Sequence, residues 1–269
     1  MKFARTRRIL MLSVLGYAMM CAYLYLFQRT IMYHPDAKYS APSPSLLPDM
    51  QEVDITTSDK LTLRSWYQPP RTTGSPTIVF LHGNRGGLTE RTETYCDIVS
   101  AGYGVLALDY RGYSGNPGSP SEHGLYADGR AAMAFLHTRD TPPERVILMG
   151  HSLGTGVAVQ LATEYPVRAL VLLAPYTAIA EIGASRYWYA PVSVLLEDRF
   201  DSLSKAGNVT APVFIFHGKQ DETIPYEQAK RLYAAFHAPK KLMLFTHKDH
   251  NGLSMPRVLE VMQSSHSRE

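Results

Sequence analysis

Short runs of apolar residues alternate along the chain with longer segments of mixed polarity. The clearest runs, rich in valine, isoleucine and leucine, lie at 77–81, 104–108, 146–149 and 169–173. Runs of this length and composition predict strands that are buried on both faces. Because helical segments separate them, the pattern predicts an α/β domain with a parallel sheet covered by helices on both sides.

Weaker patterns extend this arrangement in both directions. Apolar and polar residues alternate at 52–57 and 61–67, which predicts a hairpin or two adjoining strands. Further strands are predicted at 212–216 and 241–245. Helices are predicted at 88–100, 125–137, 155–164, 225–236 and 253–262. Residues 174–209 are irregular and aromatic, so no regular element is predicted there.

The N-terminal region follows a different pattern. From Ile9 to Phe27 the chain has nineteen residues without a charge, and as a helix they span about 28 Å, the thickness of a bilayer's hydrocarbon core. Basic residues precede the run and only Arg29 follows it closely. This predicts a signal-anchor with a cytoplasmic N-terminus, and a main domain on the extracytoplasmic side, the periplasmic side of the inner membrane in a bacterium.

Two other interpretations of this run remain open. A cleaved signal peptide is one, although the run is longer than a usual signal core and no A-x-A site follows it. A buried helix of a soluble domain is the other, and the basic flank argues against it. The anchor is the interpretation that we carry forward.

Composition defines three parts of the chain. Residues 1–28 are predicted to be the cytoplasmic tail and transmembrane anchor, and 29–50, with four prolines among serines and alanines, a tether. Residues 51–269 then form the α/β domain. The net charge is +3 and much of the excess precedes the apolar run; the rest is nearly balanced, so no nucleic-acid partner is expected.

The strand at 146–149 leads into the pentapeptide Gly150-His151-Ser152-Leu153-Gly154, and a helix of small residues follows. This is the G-x-S-x-G pattern between a strand and a helix, where it predicts a nucleophilic serine. A structural glycine-rich turn is the alternative. The predicted turn is too tight for side chains at its glycines, and it places the Ser152 hydroxyl at a helix N-terminus that favours developing negative charge.

A nucleophilic serine needs a base, and the base needs an acid that orients it. Asp221 follows the predicted strand at 212–216, and His250 follows the one at 241–245. Both therefore belong to the carboxyl edge of a parallel sheet, and the order Ser152, Asp221, His250 suits a G-x-S-x-G protein. The alternatives are that Asp221 only caps the next helix, and that His247 is the base.

The chemistry also needs donors for an oxyanion. The backbone N–H of Leu153 is one candidate, and that of Asn84, after His82-Gly83, is the second; His82 is expected to brace its loop. The histidines at 247 and 250 have no third ligand cluster near them, so no metal site is predicted.

These segments resemble the α/β-hydrolase fold serine hydrolases. The matching segments are His82-Gly83-Asn84, D-Y-R-G-Y-S-G at 109–115, the pentapeptide around Ser152, His217-Gly218-x-x-Asp221 and His250-Asn251. They extend over about residues 50–262, and they are similar to small membrane-anchored members that include protein depalmitoylases and lysophospholipid lipases. The resemblance implies an eight-stranded, mainly parallel sheet with a first antiparallel strand.

The expected reaction is hydrolysis of a carboxylic ester or thioester through an acyl-enzyme, without a metal or organic cofactor. The substrate is expected to be a small-molecule or lipid-like ester. Segment 176–206 is too short for a large cap, and aromatic residues in it, Tyr176 and Trp188 among them, are expected to wall an acyl pocket or to cover the sheet edge. A peptidase or amidase with the same triad and a catalytically silent, membrane-tethered binding protein remain as alternatives.

Overall fold

A computed structural model describes residues 2–36 and 38–266 of the chain. Met1, Ala37 and residues 267–269, which fall in the predicted tail, tether and α/β domain, lie outside the described residues. The strands are β1 (His34–Pro35), β2 (Gln51–Thr56), β3 (Thr62–Gln68), β4 (Thr77–Leu81), β5 (Arg85–Gly86), β6 (Gly104–Leu108), β7 (Val146–His151), β8 (Ala169–Leu173), β9 (Val213–Gly218) and β10 (Lys240–Phe245). The α-helices are α1 (Lys2–Met32), α2 (Thr92–Ser100), α3 (Glu122–His137), α4 (Leu153–Glu164), α5 (Ile179–Arg186), α6 (Val192–Leu195), α7 (Ser202–Lys205), α8 (Glu227–Ala235) and α9 (Met255–His266).

Eight of the strands form one sheet, in the order β10-β9-β8-β7-β4-β6-β3-β2. The pairs from β10 to β6 are parallel, whereas β3 is antiparallel to both β2 and β6. The mainly parallel, eight-stranded α/β sheet is therefore confirmed. The strand that runs against the others is β3 and not the first strand β2, because the hairpin reverses the chain between them and β3 then pairs with β6.

Helices cover both faces of the sheet because successive strand residues point to opposite sides. Along β4, Val79 and Leu81 belong to the apolar layer shared with α3, α4 and α8. Ile78 and Phe80 belong to the layer shared with α2 and α9. Every residue of β4 is buried, as its continuous apolar run predicts. The loops that follow β4, β7, β9 and β10 all leave the sheet at its carboxyl edge.

The N-terminal helix is longer than expected, and described residues of the segment after it pack against the domain. By length and composition α1 could cross a membrane, although a signal sequence would pass the same test. The helix continues past Gln28 to Met32, and β1 then pairs with β5. The prolines of the segment do exclude further helix, but three of its apolar residues are buried against the domain, namely Tyr33, Leu47 and Met50.

The segment between β8 and β9 is more regular than its composition indicates. It contains α5, α6, α7 and a 3₁₀ turn at Ala206–Asn208. These pieces are too short to form a large cap. The helix expected at 88–100 is also divided, into a 3₁₀ turn at Leu88–Arg91 and α2, because the backbone at Arg91 leaves the helical region.

Candidate active site

Ser152 stands at the junction between β7 and α4, in a conformation that few residues adopt. Its φ is 52° and its ψ is −119°, a combination that is unfavourable for a residue with a side chain. The backbone is held there because the Ser152 N–H donates to Leu173 O and the Ser152 carbonyl accepts from the Thr155 N–H, both at 2.9 Å. The turn therefore holds the serine at the carboxyl edge of the sheet.

The two glycines of the turn are required by close backbone contacts. A Cβ at Gly150 would lie 2.5 Å from Gly154 O, and a Cβ at Gly154 would lie 2.0 Å from Leu81 O. Both distances are far below a normal van der Waals contact, and in each case the obstacle is backbone that cannot move aside. The sequence argument for these glycines agrees with this geometry.

A chain of hydrogen bonds runs from Ser152 to Asp221. His250 Nε2 lies 2.9 Å from Ser152 Oγ, and His250 Nδ1 lies 2.7 Å from Asp221 Oδ2. With the imidazole proton on Nδ1, the ring donates to the carboxylate and accepts from the serine hydroxyl. The structure thus brings together three residues that are 69 and 29 positions apart in sequence.

Asp221 is buried and receives hydrogen bonds on both oxygens. Oδ1 accepts from the N–H groups of Thr223 and Ile224 at 2.9 and 2.8 Å, and Oδ2 accepts from His217 Nε2 at 3.0 Å as well as from His250. Burial alone would raise the pKa of the Asp221 carboxyl, but the hydrogen bonds from His217, His250 and Ile224 hold this pKa well below its usual value. The group is therefore a carboxylate at neutral pH.

The loop that carries His250 passes very close to the end of β9. A Cβ at Gly218 would lie 2.2 Å from Lys248 O, so the glycine of the His-Gly pair makes room for the histidine loop beside the acid. His247, the alternative base, is exposed, whereas His250 contacts both Ser152 and Asp221. The structure therefore brings His250, the histidine selected from the sequence, to the serine and the acid.

Asn84 and Leu153, the predicted oxyanion donors, both lie next to the serine. Leu153 is the first residue of α4, where an N–H has no partner within the helix. Asn84 lines the same cavity as Ser152, and its side chain donates to Met32 O at 2.9 Å, which fixes the loop after β4. A Cβ at Gly83 would lie 3.5 Å from Ser152 Cβ, so this loop passes directly beside the serine.

His82 occupies a buried position under the site. Its Nε2 lies 3.2 Å from Asp109 Oδ1, and its ring packs against Tyr110 and Tyr113 at centroid distances of 4.4 and 4.9 Å. The two tyrosines come from the D-Y-R-G-Y-S-G loop. Since none of these groups contacts Ser152 Oγ, the arrangement agrees with a bracing role for His82 and a structural one for Asp109.

His151 lies closer to the site than the sequence indicates. Its side chain lines the cavity, and its ring centroid lies 5.4 Å from that of His250. Its Nε2 lies 3.3 Å from His250 O. Burial, reinforced by the charge of Arg91, lowers the pKa of His151 to about 3, so the ring is neutral at physiological pH. Alternation along β7 could have indicated this, because His151 is the last strand residue.

A cavity of about 1040 Å³ opens at Ser152. Its apolar wall comes from two elements, the end of α1 and the α5–α6 segment, and includes Leu24, Ile31, Ile179, Ile182 and Leu195. Arginine side chains and one carboxylate line it as well, namely Arg85, Arg91, Arg186 and Glu90. The contribution of α1 could not be foreseen, because an anchor carries no sequence signal for packing against a site.

The two aromatic residues predicted to wall a pocket do not line this cavity. Tyr176 is completely buried, and its hydroxyl donates to Leu153 O at 3.0 Å, so it supports α4 from behind. Trp188 is 81% exposed. This corrects the expectation for these two residues. Tyr187, an aromatic residue of the same segment, does line the cavity, together with aliphatic residues of α5 and α6.

Comparisons with known proteins agree with this fold. Residues 74–203 match the family described as serine aminopeptidase, S33. The esterase Pf2001 of Pyrococcus furiosus superposes with a TM-score of 0.66 at 20% identity, over 87% of this chain and 96% of that one. The protein Rv2307c of Mycobacterium tuberculosis is 40% identical over 226 residues, which cover 83% of this chain and 80% of the relative.

The chain belongs to the α/β-hydrolase family. This hydrolase is also similar to the lysophosphatidylserine lipase ABHD12 of Danio rerio, with 34% identity over 188 residues. The match covers 62% of the hydrolase and 49% of the zebrafish protein. A lipase is thus similar to this hydrolase in sequence and an esterase in fold, and α1 is long and apolar enough to cross a membrane.

Proposed function

We propose that the hydrolase is a serine esterase that acts through an acyl-enzyme, with Ser152 as nucleophile, His250 as base and Asp221 as the orienting acid. The observation that carries the proposal is the continuous hydrogen-bond chain from Ser152 Oγ through His250 to Asp221 Oδ2, at 2.9 and 2.7 Å. Such a chain activates a hydroxyl that would otherwise be a weak nucleophile.

The steps follow from the positions of these atoms. Ser152 Oγ attacks the acyl carbon while His250 Nε2 takes its proton, and Asp221 stabilises the imidazolium. The N–H groups of Leu153 and Asn84 donate to the oxyanion, and each lowers the activation barrier by on the order of 3 kcal/mol. His250 then returns the proton to the leaving alcohol or thiol, and water releases the acyl group by the same route.

The cavity favours a substrate with an acyl chain and an anionic headgroup. Its aliphatic side suits a hydrocarbon chain, and its arginines, Arg85, Arg91 and Arg186, outnumber the one carboxylate of Glu90. The zebrafish relative is named a lysophosphatidylserine lipase. Lysophosphatidylserine has one acyl chain and a phosphate. We infer that lysophospholipids are the substrate class of this hydrolase.

The anchor assignment is part of the same proposal. We infer that α1 spans a bilayer with its N-terminus in the cytoplasm and places the hydrolase domain on the other side, because Arg5, Arg7 and Arg8 precede the span. Intact mass of the purified membrane protein tests cleavage: loss of the first residues would support a signal peptide instead. A reporter fused after Glu269 that is active in the cytoplasm would overturn the orientation.

A fluorophosphonate probe tests the nucleophile. The full-length wild type in detergent should be labelled, and Ser152→Ala should not. Ser100→Ala, which changes an exposed serine at the end of α2, is the matched control and should label as wild type does. Asp221→Asn should keep the fold but lower turnover of a soluble aryl ester by about 10⁴-fold.

Wild type that fails to react with the probe would contradict the proposal and favour a silent binding protein. The matched family is described as an aminopeptidase, so aminoacyl arylamides belong in the same assay. Faster turnover of these amides than of esters would replace the esterase by a peptidase with the same three residues.

A further inference from the structure

The end of α1 forms one wall of the cavity that contains Ser152. Leu24, Gln28 and Ile31 line the cavity, and they lie on one face of the helix because their spacing matches its 3.6-residue period. Each of the three is partly covered by protein. Leu26, on the opposite face, is 73% exposed. The helix expected to act only as an anchor is therefore part of the substrate cavity.

The opposite wall is the α5–α6 segment, and polar contacts hold the two residues that follow it, Glu197 and Asp198, against α1. Arg29 Nε lies 2.9 Å from Asp198 Oδ2, and the Gln28 side chain accepts from the Glu197 N–H at 2.8 Å. Tyr25 donates to Glu197 Oε1 at 2.9 Å. The two walls are thus held together at the level where the apolar part of α1 ends.

The tip of this second wall lies alongside the uncharged part of α1. The Tyr17 hydroxyl donates to Tyr189 O at 3.2 Å, and Tyr17 is ten residues, about 15 Å along the helix, below Phe27. The tip also exposes large apolar side chains: Trp188 is 81% exposed and Val194 is 80% exposed. Such side chains are costly in water and favourable in a bilayer.

The backbone and charges of the tip are compatible with lipid. The N–H groups of Ala190, Val192 and Val194 donate to carbonyls within the segment, at 2.8 to 3.0 Å, so part of its backbone already has the pairing that hydrocarbon requires. The segment from 187 to 196 carries no charge. Arg186 precedes it and lines the cavity, and Glu197 follows it and pairs with Arg29 at 3.2 Å.

We propose that residues 187–194 enter the same bilayer leaflet as the adjoining part of α1, and that the cleft between these two walls admits the acyl chain of a membrane lipid sideways to Ser152. The proposal rests on the esterase function for its substrate, but its geometry does not depend on turnover. It assigns α1 a second role, as a specificity wall for the acyl chain.

Fluorescence of Trp188 tests the immersion. The chain has two tryptophans, and Trp66 is completely buried in β3, so the difference between wild type and Trp188→Phe reports Trp188 alone. Full-length protein is reconstituted in phosphatidylcholine vesicles with or without bromine on the acyl chains. Brominated lipid should remove most of the Trp188 signal, and aqueous iodide should not. Quenching by iodide and not by brominated lipid would overturn the proposal.

A pair of α1 variants tests the wall. Leu24→Trp fills the cavity side of the helix, and Leu26→Trp adds the same bulk to the opposite face. Leu24→Trp should lower the ratio of long-chain lysophospholipid turnover to aryl acetate turnover by about tenfold, the effect of one poorly fitted apolar group, whereas Leu26→Trp should keep the wild-type ratio. Equal ratios in the two variants would show that the acyl chain does not contact α1.

Failure of the esterase proposal gives a different result. In that case the fluorophosphonate probe does not label the wild type and neither ester is turned over. The quenching of Trp188 is still measured on the same vesicles, and it decides the membrane contact by itself.

Discussion

Replacing His151 by phenylalanine should make the hydrolase less sensitive to acid. The ring of His151 is buried next to Arg91, and its pKa is lowered to about 3. In the unfolded chain the same imidazole titrates near 6.5. The unfolded state therefore binds more protons than the folded state between these two values, so this residue reduces stability as the pH falls below about 6.5.

The size of the effect follows from the two pKa values. At about pH 5 the unfolded imidazole is protonated and the buried one is not, which costs roughly 2 kcal/mol relative to about pH 7.5. Phenylalanine has a similar shape and no charge to gain. The exchange loses only the contact between His151 Nε2 and His250 O at 3.3 Å, and within the described residues Nδ1 has no hydrogen-bond partner to lose.

The assay is urea unfolding of the full-length protein in detergent, followed by circular dichroism at the two pH values. The wild type should lose about 2 kcal/mol more than His151→Phe between about pH 7.5 and about pH 5. His137→Gln, at an exposed position of α3, is the control and should lose as much as the wild type. Parallel pH profiles for wild type and His151→Phe would refute the reasoning, because the buried ring would then have to accept a proton without cost.

Three further changes test the framework around the site. Gly154→Ala would place a methyl group 2.0 Å from Leu81 O and should cost more than about 3 kcal/mol or prevent folding; Gly16→Ala, with open space around it, is its control in expression and thermal unfolding. Asp198→Ala would remove the acceptor of the Tyr33 hydroxyl and the Glu122 N–H and should cost about 2–4 kcal/mol in urea unfolding; a loss no larger than that of a surface change would contradict the buried role. Arg130→Ala should lower the free energy of unfolding by less than about 1 kcal/mol, because Arg130 and Glu164 form a surface ion pair. A larger loss would contradict the assignment as a surface pair.

Sequence predicted the sheet well because its strands are buried on both faces. The runs at 77–81, 104–108 and 169–173 coincide with β4, β6 and β8 to the residue, since continuous apolar residues between polar loops allow only one boundary. The edge strands are less determined. The edge strand β10 begins one residue early and is only partly buried. The interior strand β9 extends two residues further than the apolar run, because its last residues, His217 and Gly218, belong to the site.

The candidate site was predictable where topology alone decides which residues meet. Loops after β7, β9 and β10 converge at one edge, so Ser152, Asp221 and His250 could be selected by their places in the chain. The cavity could not be predicted in the same way. Its walls come from α1 and the α5–α6 segment. Their contact depends on single pairs such as Arg29 with Asp198, and no hydrophobic pattern in the sequence predicts such a pair. The position of His151 differs from this, because the alternation along β7 could have indicated it.

The attachment of α1 to residues 189–198 has a consequence for how the protein sits at a bilayer. A flexible linker would let the globular part reorient above the membrane surface, so the opening of the cavity would face the lipids only part of the time. If α1 spans the bilayer as proposed, the helix and the opening of the cavity turn as one body. In the proposed arrangement, an unrelated spanning segment would still hold the protein at the membrane but would not orient the cavity. A lipid substrate would then have to leave the bilayer to reach Ser152.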